Sequence, residues 1–277
     1  MPELPEVENV RQTLIPLVVG NTIEKIDIYY GKMIKQPDDT EQFKEMLQGE
    51  TIQDVKRRGK FLLFYTDHYC IISHLRMEGK YKYVGGDVTP EKHVHVEFYF
   101  TNGQKLQYHD VRKFGTFHVC KLGEEMKEDS LRKLGVEPFM KEWEDFSLYD
   151  KIHASSRPIK TALLDQTIIA GLGNIYVDEV LFRSSVHPSR KASSITKEEA
   201  EKLQNETKYV LEKAVKNGGS TIRSYVNTQG KKGTYQDFLQ VYGKKGESCP
   251  NCDTEIEKIK LGGRGTHFCP TCQVDTI

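Results

Sequence analysis

The chain has 277 residues, with 40 Lys and Arg against 40 Asp and Glu, so its formal net charge is zero. Its composition excludes collagen-like, low-complexity and acidic disordered proteins, and its length allows about two domains with at least one sizeable core. No run of ~18 apolar residues predicts a transmembrane helix. The acidic N-terminus lacks the apolar segment of a secretory signal, so we expect a cytoplasmic protein without a membrane partner.

The charges are distributed unevenly along the chain. Residues 1–150 contain 26 acidic and 21 basic residues, a net charge of −5, whereas residues 151–277 contain 14 acidic and 19 basic residues, a net charge of +5. The zero sum alone argues against a polyanionic partner. The basic second half weakens that argument, since partners respond to local charge.

The first half of the chain predicts one helix followed by short strands. Val7, Val10, Leu14 and Leu17 recur at helical spacing. The segments 60–65, 69–75, 94–100 and 115–120 are rich in aromatic and β-branched residues and are separated by Gly, Pro and Asn turn signals. Such a pattern is typical of an antiparallel sandwich or barrel.

The second half predicts helices. Residues 159–169 and 174–182 predict two of them, joined by a Gly-Leu-Gly turn. Thr196 and Glu199 have the spacing of a capping box that opens a third, which Gly218 and Gly219 would end. We therefore predict an α+β protein with a β-sandwich domain over 1–130, a helical domain over 131–240 and a small module over 241–277.

Four of the six cysteines form two Cys-x-x-Cys pairs near the end of the chain, separated by sixteen residues. They are Cys249, Cys252, Cys269 and Cys272. This spacing is typical of a closed, tetrahedral zinc site, and we predict one structural Zn²⁺. Disulfides or a redox pair are the alternatives, both disfavoured in a cytoplasmic chain. Cys70 and Cys120 lie in apolar strands and are interpreted as core residues.

The segment between the two cysteine pairs contains a Gly-Gly-Arg-Gly turn around Arg264. An Arg on such a turn can bind a phosphate through two hydrogen bonds, but it can equally be a solvated surface residue.

The N-terminus offers a second reactive group. If Met1 is removed, Pro2 has a free secondary amine, which is partly uncharged near neutral pH and can form an iminium with a carbonyl-like carbon. Glu3 beside it could transfer protons. The two residues taken alone are equally consistent with a stiff start to the chain, and that interpretation is favoured without further information.

Several segments together resemble the bacterial formamidopyrimidine-DNA glycosylase family. They are Met-Pro-Glu-Leu-Pro-Glu-Val-Glu at 1–8, Lys-Arg-Arg-Gly-Lys at 56–60, His-Leu-Arg-Met-Glu-Gly at 74–79, Asp-Val-Arg-Lys-Phe-Gly at 110–115, the segment 164–176, Gln-Val-Tyr-Gly at 240–243 and the cysteine pairs. The resemblance covers essentially the whole chain. It implies an N-terminal β-sandwich, a helix–two-turns–helix domain and a zinc finger.

The resemblance also implies a bifunctional DNA glycosylase and AP lyase for oxidised purines in duplex DNA. Pro2 would attack the sugar of the damaged nucleotide, Glu3 would transfer protons, and Lys60 and Arg264 would assist β- and δ-elimination or position phosphates.

The nucleotide must leave the helix for this chemistry, so the resemblance implies residues that fill the vacated space. Met77 and Phe114 would fill it, and Arg112 would bind the orphaned base, preferably cytosine; as isolated residues, Met77 and Phe114 would more often belong to a core. The remaining candidate DNA contacts are His74, His93, Lys160, Asn174, Tyr242 and Lys258. A histidine on a strand is as often structural as functional.

The glycine-punctuated segment 217–237 would cap the extruded base. Two alternatives remain: a non-catalytic zinc-ribbon DNA-binding protein, and a relative with pyrimidine specificity of the endonuclease VIII kind. We expect a monomer.

Overall fold

The computed structural model describes residues 1–221, 228 and 230–275. The helices are α1 (Leu4–Val18), α2 (Thr40–Leu47), α3 (Asp129–Arg132), α4 (Leu148–Ile152), α5 (Ile159–Leu163), α6 (Asn174–Arg183) and α7 (Lys197–Lys216). The strands are β1 (Ile23–Ile28), β2 (Ile34–Gln36), β3 (Asp54–Arg58), β4 (Phe61–Tyr65), β5 (Tyr69–His74), β6 (Lys80–Gly85), β7 (Val94–Phe100), β8 (Gln104–His109), β9 (Thr116–Lys121), β10 (Glu257–Leu261) and β11 (Arg264–Phe268).

The chain forms two compact units. The N-terminal unit comprises Met1–Arg132 and Asn217–Thr234, and the C-terminal unit comprises Lys133–Lys216 and Tyr235–Ile277. Residues 217–237 are predicted from sequence to belong mainly to the helical domain, whereas the described residues of this segment up to Thr234 group with the N-terminal unit.

Two sheets form the N-terminal unit. One has the strand order β1-β7-β8-β6 and the other the order β2-β9-β5-β4-β3, with antiparallel pairing except between β2 and β9. Side chains from both sheets meet in one apolar core, where they line a void of about 10 Å³; these are Phe64, Ile71, Tyr81, Phe98, Leu106 and Phe117. The sandwich predicted from the alternating apolar segments is confirmed, and so is the α+β class.

Helix α1 buries the apolar stripe that its sequence predicts. Val7, Val10 and Leu14 are buried, and they belong to the same core as the two sheets. Helical spacing placed these side chains on one face, and burying that face is the main source of the helix's stability.

The C-terminal unit contains the helices α4 to α7 and the hairpin β10-β11. The predicted capping box of α7 is confirmed, because the Thr196 backbone N–H donates to Glu199 at 2.9 Å and the Glu199 N–H donates to the Thr196 hydroxyl at 3.2 Å. Leu203, Val210 and Leu211 are buried along one face of α7, as predicted.

The helix predicted over 159–169 is wrong in its length, since α5 ends at Leu163. The Asp165 carboxylate accepts hydrogen bonds from the Thr167 N–H and hydroxyl, which fixes a turn instead of another helical turn. Gln166 closes the segment by accepting the Gly171 N–H and donating to the Leu172 carbonyl.

Among the described helices, none combines the length and the apolar character needed to cross a membrane.

Candidate functional site

The N-terminus of the chain is held at the start of α1. Pro2 and Glu3 are buried, whereas Met1 is half-exposed. Glu3 is the N-cap of α1: its side chain accepts the Glu6 N–H, and its own N–H donates to Glu6 Oε2 at 2.8 Å. This reciprocal capping fixes the direction in which Pro2 leaves the helix.

Glu6 links this N-terminus to the segment after α7. Its Oε1 accepts the Ser220 N–H at 2.7 Å, and a Cβ on Gly219 would lie 2.6 Å from the same oxygen. Gly219 has a φ of +77°, so both its conformation and the close carboxylate require glycine. Sequence reasoning missed Glu6, although its spacing of three residues from Glu3 is that of a capping box.

Lys60 and His74 lie at the same end of the neighbouring strands β4 and β5. Lys60 is buried at the turn between β3 and β4, and His74 ends β5 opposite Phe61. Burial, with the charges of Arg76 and Lys60, lowers the pKa of His74 to about 3. Its Nδ1 accepts the Arg76 N–H at 2.9 Å, so the neutral ring has its proton on Nε2 and can donate it to a phosphate.

Met77 and Phe114 are exposed, at 39% and 51%, and they do not belong to the core. With Met1 and Arg76 they line a pocket of about 380 Å³. The Arg112 guanidinium lies 4.8 Å from the centre of the Phe114 ring. Two large apolar side chains that are exposed beside the N-terminus do not stabilise the core. Their exposure therefore favours an interaction surface.

His93 is half-buried before β7, and its carbonyl accepts the Asp110 N–H at 3.0 Å. The structure thus ties the His93 backbone to the loop that contains Arg112 and Phe114.

In the C-terminal unit, Asn174, Lys160 and Arg264 are brought together around the carbonyl of Gly265. Lys160 Nζ donates to this carbonyl at 3.2 Å, and Asn174 Nδ2 donates to it at 3.1 Å. Arg264 precedes it at the exposed start of β11. The Asn174 side chain opens α6 directly after the Gly-Leu-Gly turn, where helix N–H groups favour an anion.

Lys160 is 1% exposed. Its ammonium donates to Asp178 Oδ1 at 2.7 Å and to the Thr266 hydroxyl at 2.8 Å, and Asp178 Oδ2 accepts the His267 N–H at 2.9 Å. These groups are buried, so the Lys160 ammonium does not face solvent in this structure. It links α5, α6 and β11, and the direct DNA contact implied by the resemblance stays a prediction.

Tyr242 and Lys258 both adjoin the hairpin β10-β11, Tyr242 through His267 of β11 and Lys258 as a residue of β10. The Tyr242 ring is 5.0 Å from the His267 ring, and its N–H donates to Glu179 Oε1 at 2.9 Å. Glu179 also accepts hydrogen bonds from the N–H groups of Gln240 and Val241. Burial raises the pKa of the Glu179 carboxyl, although the three N–H donors lower it. The Lys258 side chain is exposed and lies over Gly265. A Cβ added at Gly265 would be 2.9 Å from Lys258 Cε.

The four cysteines at the end of the chain form one cluster. Their Sγ atoms lie within 4.8 Å of one another, with Cys249–Cys272 at 3.8 Å and Cys252–Cys269 at 3.5 Å. A tetrahedral zinc ion with Zn–S bonds of about 2.3 Å needs sulfurs roughly 3.8 Å apart. Backbone N–H groups of Asn251 and Cys272 point at two of the sulfurs, which suits thiolates. The donor set therefore fits one zinc ion.

The predicted capping segment 217–237 is described only in part, since residues 222–227 and 229 lie outside the described residues. At its start, the Gly218 carbonyl accepts Asn9 Nδ2 at 2.9 Å, and at its other end the Thr234 N–H donates to the Asn217 carbonyl at 2.9 Å.

Comparison with known proteins identifies the family. Residues 1–117 match the family model of the formamidopyrimidine-DNA glycosylase N-terminal domain, 134–226 that of the formamidopyrimidine-DNA glycosylase H2TH domain, and 246–274 a zinc finger found in FPG and IleRS. A formamidopyrimidine-DNA glycosylase of Bacillus cereus is 58% identical over 273 residues, which cover 99% of each chain. The chain belongs to the formamidopyrimidine-DNA glycosylase family.

Solved structures of this family resemble the chain over its full length. A complex of a Lactococcus lactis FPG variant with Fapy-dG-containing DNA matches with a TM-score of 0.92 and 44% identity, covering 99% of this chain and 100% of that one. A complex of Lactococcus lactis Fpg with DNA containing an abasic site matches with a TM-score of 0.91 and 43% identity, with the same coverage.

The family membership gives the chain its general function: it is a DNA glycosylase of base excision repair that acts on damaged DNA. The resemblance recognised in the sequence is confirmed, and the zinc-finger family model agrees with the four clustered cysteines, which are positioned to bind one zinc ion.

Proposed function

We propose that this glycosylase removes oxidised purines, 8-oxoguanine and formamidopyrimidines, from duplex DNA and then cleaves the strand. The observation that supports the proposal most is the arrangement at the N-terminus, where buried Pro2 and the N-cap Glu3 adjoin a pocket lined by Met77 and Phe114. An apolar wedge next to a potential nucleophile suits an enzyme that must extrude a nucleotide before reacting with it.

In the proposed reaction, removal of Met1 frees the Pro2 amine. Its lone pair attacks C1′ of the damaged nucleotide, the glycosidic bond breaks, and the departing base takes the bonding electrons and a proton. Glu3 protonates the ring oxygen as the sugar opens, which leaves a cationic iminium on the Pro2 nitrogen. The buried Glu3 carboxyl is held beside Pro2 by the reciprocal capping with Glu6, so it is placed for this transfer.

The iminium then acidifies C2′. Loss of a C2′ proton supplies the electron pair that expels the 3′ phosphate, and a second elimination expels the 5′ phosphate, leaving a one-nucleotide gap. Lys60 and Arg264 are the proposed assistants of the two eliminations. Each is a cation at a turn, which also suits the simpler role of positioning phosphates.

Arg112 is the proposed reader of the orphaned base. Its guanidinium lies 4.8 Å from the centre of the Phe114 ring and offers only donors, which match the acceptors of cytosine. His74, His93, Asn174, Tyr242 and Lys258 are proposed to hold phosphates or sugars, and the protein is proposed to act as a monomer. The zinc ion would be structural, since four cysteine ligands leave no open position.

Borohydride trapping tests the nucleophile and the substrate together. Duplex DNA containing 8-oxoguanine opposite cytosine should give a covalent protein–DNA adduct that maps to Pro2. A form that retains Met1, whose Pro2 nitrogen is an amide, should give no adduct, and Pro2→Gly, which replaces the secondary amine by a primary one, should give less adduct than the wild type. The matched control Pro16→Ala, an exposed proline near the end of the same helix, should react as the wild type does. Trapping by the form that retains Met1 would exclude Pro2 as the nucleophile.

Assays on the same protein separate the two alternative functions from the proposed one. A non-catalytic DNA-binding protein would bind the duplex without any adduct, with Met1 retained in its N-terminal mass. Pyrimidine specificity of the endonuclease VIII kind would appear as faster cleavage of a thymine-glycol duplex than of the 8-oxoguanine duplex.

A further inference from the structure

The loop between β8 and β9, residues 110–115, is folded around the carboxylate of Asp110. Oδ1 accepts the Arg112 N–H at 3.0 Å, and Oδ2 accepts the N–H groups of Phe114 at 2.9 Å and Gly115 at 2.8 Å. One side chain thus binds the backbone of the two loop residues whose side chains are proposed to enter DNA. Hydrogen bonds to an ionised acceptor are the stronger kind, so the carboxylate determines the shape of this loop.

The backbone of Asp110 is itself held. The residue is 1% exposed, and its carbonyl accepts His95 Nε2 at 2.8 Å and the Lys113 N–H at 3.3 Å. Lys113 has a φ of +58°, a conformation that a lysine adopts only when its surroundings impose it. The loop is therefore a preformed structure, although Arg112 and Phe114 project from it into solvent.

Tyr108 connects this loop to the one that contains Met77. Its ring is fully buried, and its hydroxyl occupies the space that a Cβ on either Gly79 or Gly115 would need. The hydroxyl has no hydrogen-bond partner among the described residues. Its packing against the backbone of Gly79 and Gly115 is the contact that the structure gives this hydroxyl.

We propose that Asp110 and Tyr108 are positioning residues for nucleotide extrusion. Asp110 sets the conformation of the loop that presents Arg112 and Phe114, and the Tyr108 hydroxyl is a spacer that fixes this loop against the Gly79 end of the Met77 loop. The three extruding side chains are thereby held as one rigid wedge before DNA binds. This inference rests on the proposed function.

The loop 110–115 is ordered before DNA binds, and this timing affects the free energy of extrusion. A loop that became ordered only on binding DNA would lose conformational entropy at the step in which its side chains separate the bases. Catalytic groups misplaced by about 1 Å can lose two orders of magnitude in rate, and the same sensitivity applies to a side chain that must match one base step.

Asp110→Asn is the principal test. The amide keeps the size of the side chain but replaces one acceptor oxygen by an N–H₂ group that faces a backbone donor. We expect single-turnover excision of 8-oxoguanine opposite cytosine to fall about tenfold or more. Cleavage of a preformed abasic site opposite cytosine should fall less than about threefold, since no base has to be unstacked.

One further measurement and one control variant make the test specific. A 2-aminopurine beside the lesion should brighten more slowly on mixing with Asp110→Asn than with the wild type, a readout of unstacking that needs no chemistry. Asp67→Asn is the matched control, because Asp67 also accepts a backbone N–H, from Thr51 at 2.8 Å, in the same unit but in another loop; it should leave both rates unchanged.

Equal losses on the two substrates, or no loss on either, would overturn the positioning role. If Asp110→Asn does not fold, Tyr108→Phe tests the same idea, since it removes only the unpaired hydroxyl; it should slow excision selectively while leaving the melting temperature equal or higher. Failure of the proposed function is a different result, recognised by a wild-type protein that forms no borohydride adduct.

Discussion

Buried carboxylates in this protein bind the backbone N–H groups of loops. Glu6 accepts the N–H groups of Glu3 and Ser220, Asp110 accepts three, and Glu179 accepts three. A carboxylate is desolvated at a high cost, which is offset only when several donors converge on it. Each of these acids fixes a segment that contains proposed DNA-contacting residues, so their effect on function is through geometry.

The buried pair of Lys160 and Asp178 predicts a stability effect without an effect on phosphate binding. Lys160→Met leaves Asp178 as a buried carboxylate without its ammonium partner, which should cost about 3–5 kcal/mol of unfolding free energy in urea titrations. The slope of log affinity for DNA against log salt should stay unchanged, because the ammonium is not at the surface.

Lys258→Met is the matched control, since Lys258 is exposed on the same hairpin module. It should lower the salt slope by about 1 and leave the unfolding free energy nearly unchanged. A reduced slope of log DNA affinity against log salt for Lys160→Met would show that Lys160 contacts a phosphate.

His74 predicts a loss of stability in mild acid. The native pKa of about 3 lies below the unfolded value of 6.5, so as the pH falls below 6.5 the unfolded chain takes up a proton that the native state does not. This contribution is present above pH 6.5 and lost on acidification, by about 2 kcal/mol at pH 5. Urea unfolding at pH 7.5 and pH 5 should show a smaller difference for His74→Gln than for the wild type. Equal differences would contradict the assignment.

At the scale of elements, the starts of the two longest described helices, α1 and α7, are fixed by reciprocal hydrogen bonds. The box formed by Thr196 and Glu199 was predictable, because Thr is a common N-cap and the spacing is standard. The box formed by Glu3 and Glu6 was not recognised, since a glutamate is an unusual N-cap and lies behind a proline-rich start. The early end of α5 was missed for a similar reason: side-chain-to-backbone bonds of Asp165 competed with the helical pattern.

Thr196→Ala should lower the unfolding free energy of the C-terminal unit by about 1 kcal/mol, because one N–H of the first turn of α7 loses its acceptor. The melting temperature measured by circular dichroism at 222 nm should fall accordingly. Ser193→Ala, an exposed change in the preceding turn, is the control and should have no effect. A loss shared equally by both variants would indicate a general effect on the turn.

At the scale of the whole molecule, the residues proposed to contact DNA belong to both units, and net charge was a poor guide to the partner. The acidic first half contains Lys60, Arg112 and His74, and the basic second half contains Lys258 and Arg264. A few placed cations and N–H groups suffice for phosphate binding, whatever the sum of charges.

Zinc removal should unfold the hairpin β10-β11 and weaken DNA binding. Among the described residues, the hairpin module shares a small apolar cluster with its surroundings, which includes Ile256 and two of the cysteines, so the metal supplies much of its folding free energy. We expect one zinc per chain by elemental analysis and a clear loss of both zinc and DNA affinity in Cys272→Ser. Cys120→Ala, a buried cysteine of β9 away from the cluster, should retain both. Unchanged DNA affinity in a zinc-free protein would contradict this prediction.

The sequence by itself determined the β-sandwich, the apolar face of α1, the capped helix α7 and the four zinc-binding cysteines. Each depends on a local period or a spacing of a few residues, which the chain keeps wherever it folds. Only the tertiary structure decided which charges are buried. It pairs Lys160 with Asp178, places Asp110 at the centre of the loop 110–115, and brings the Glu6 carboxylate to the Ser220 N–H. The physical reason is that a carboxylate or an ammonium is stable inside a protein only among specific donors or acceptors, and those partners come from residues far away in the chain.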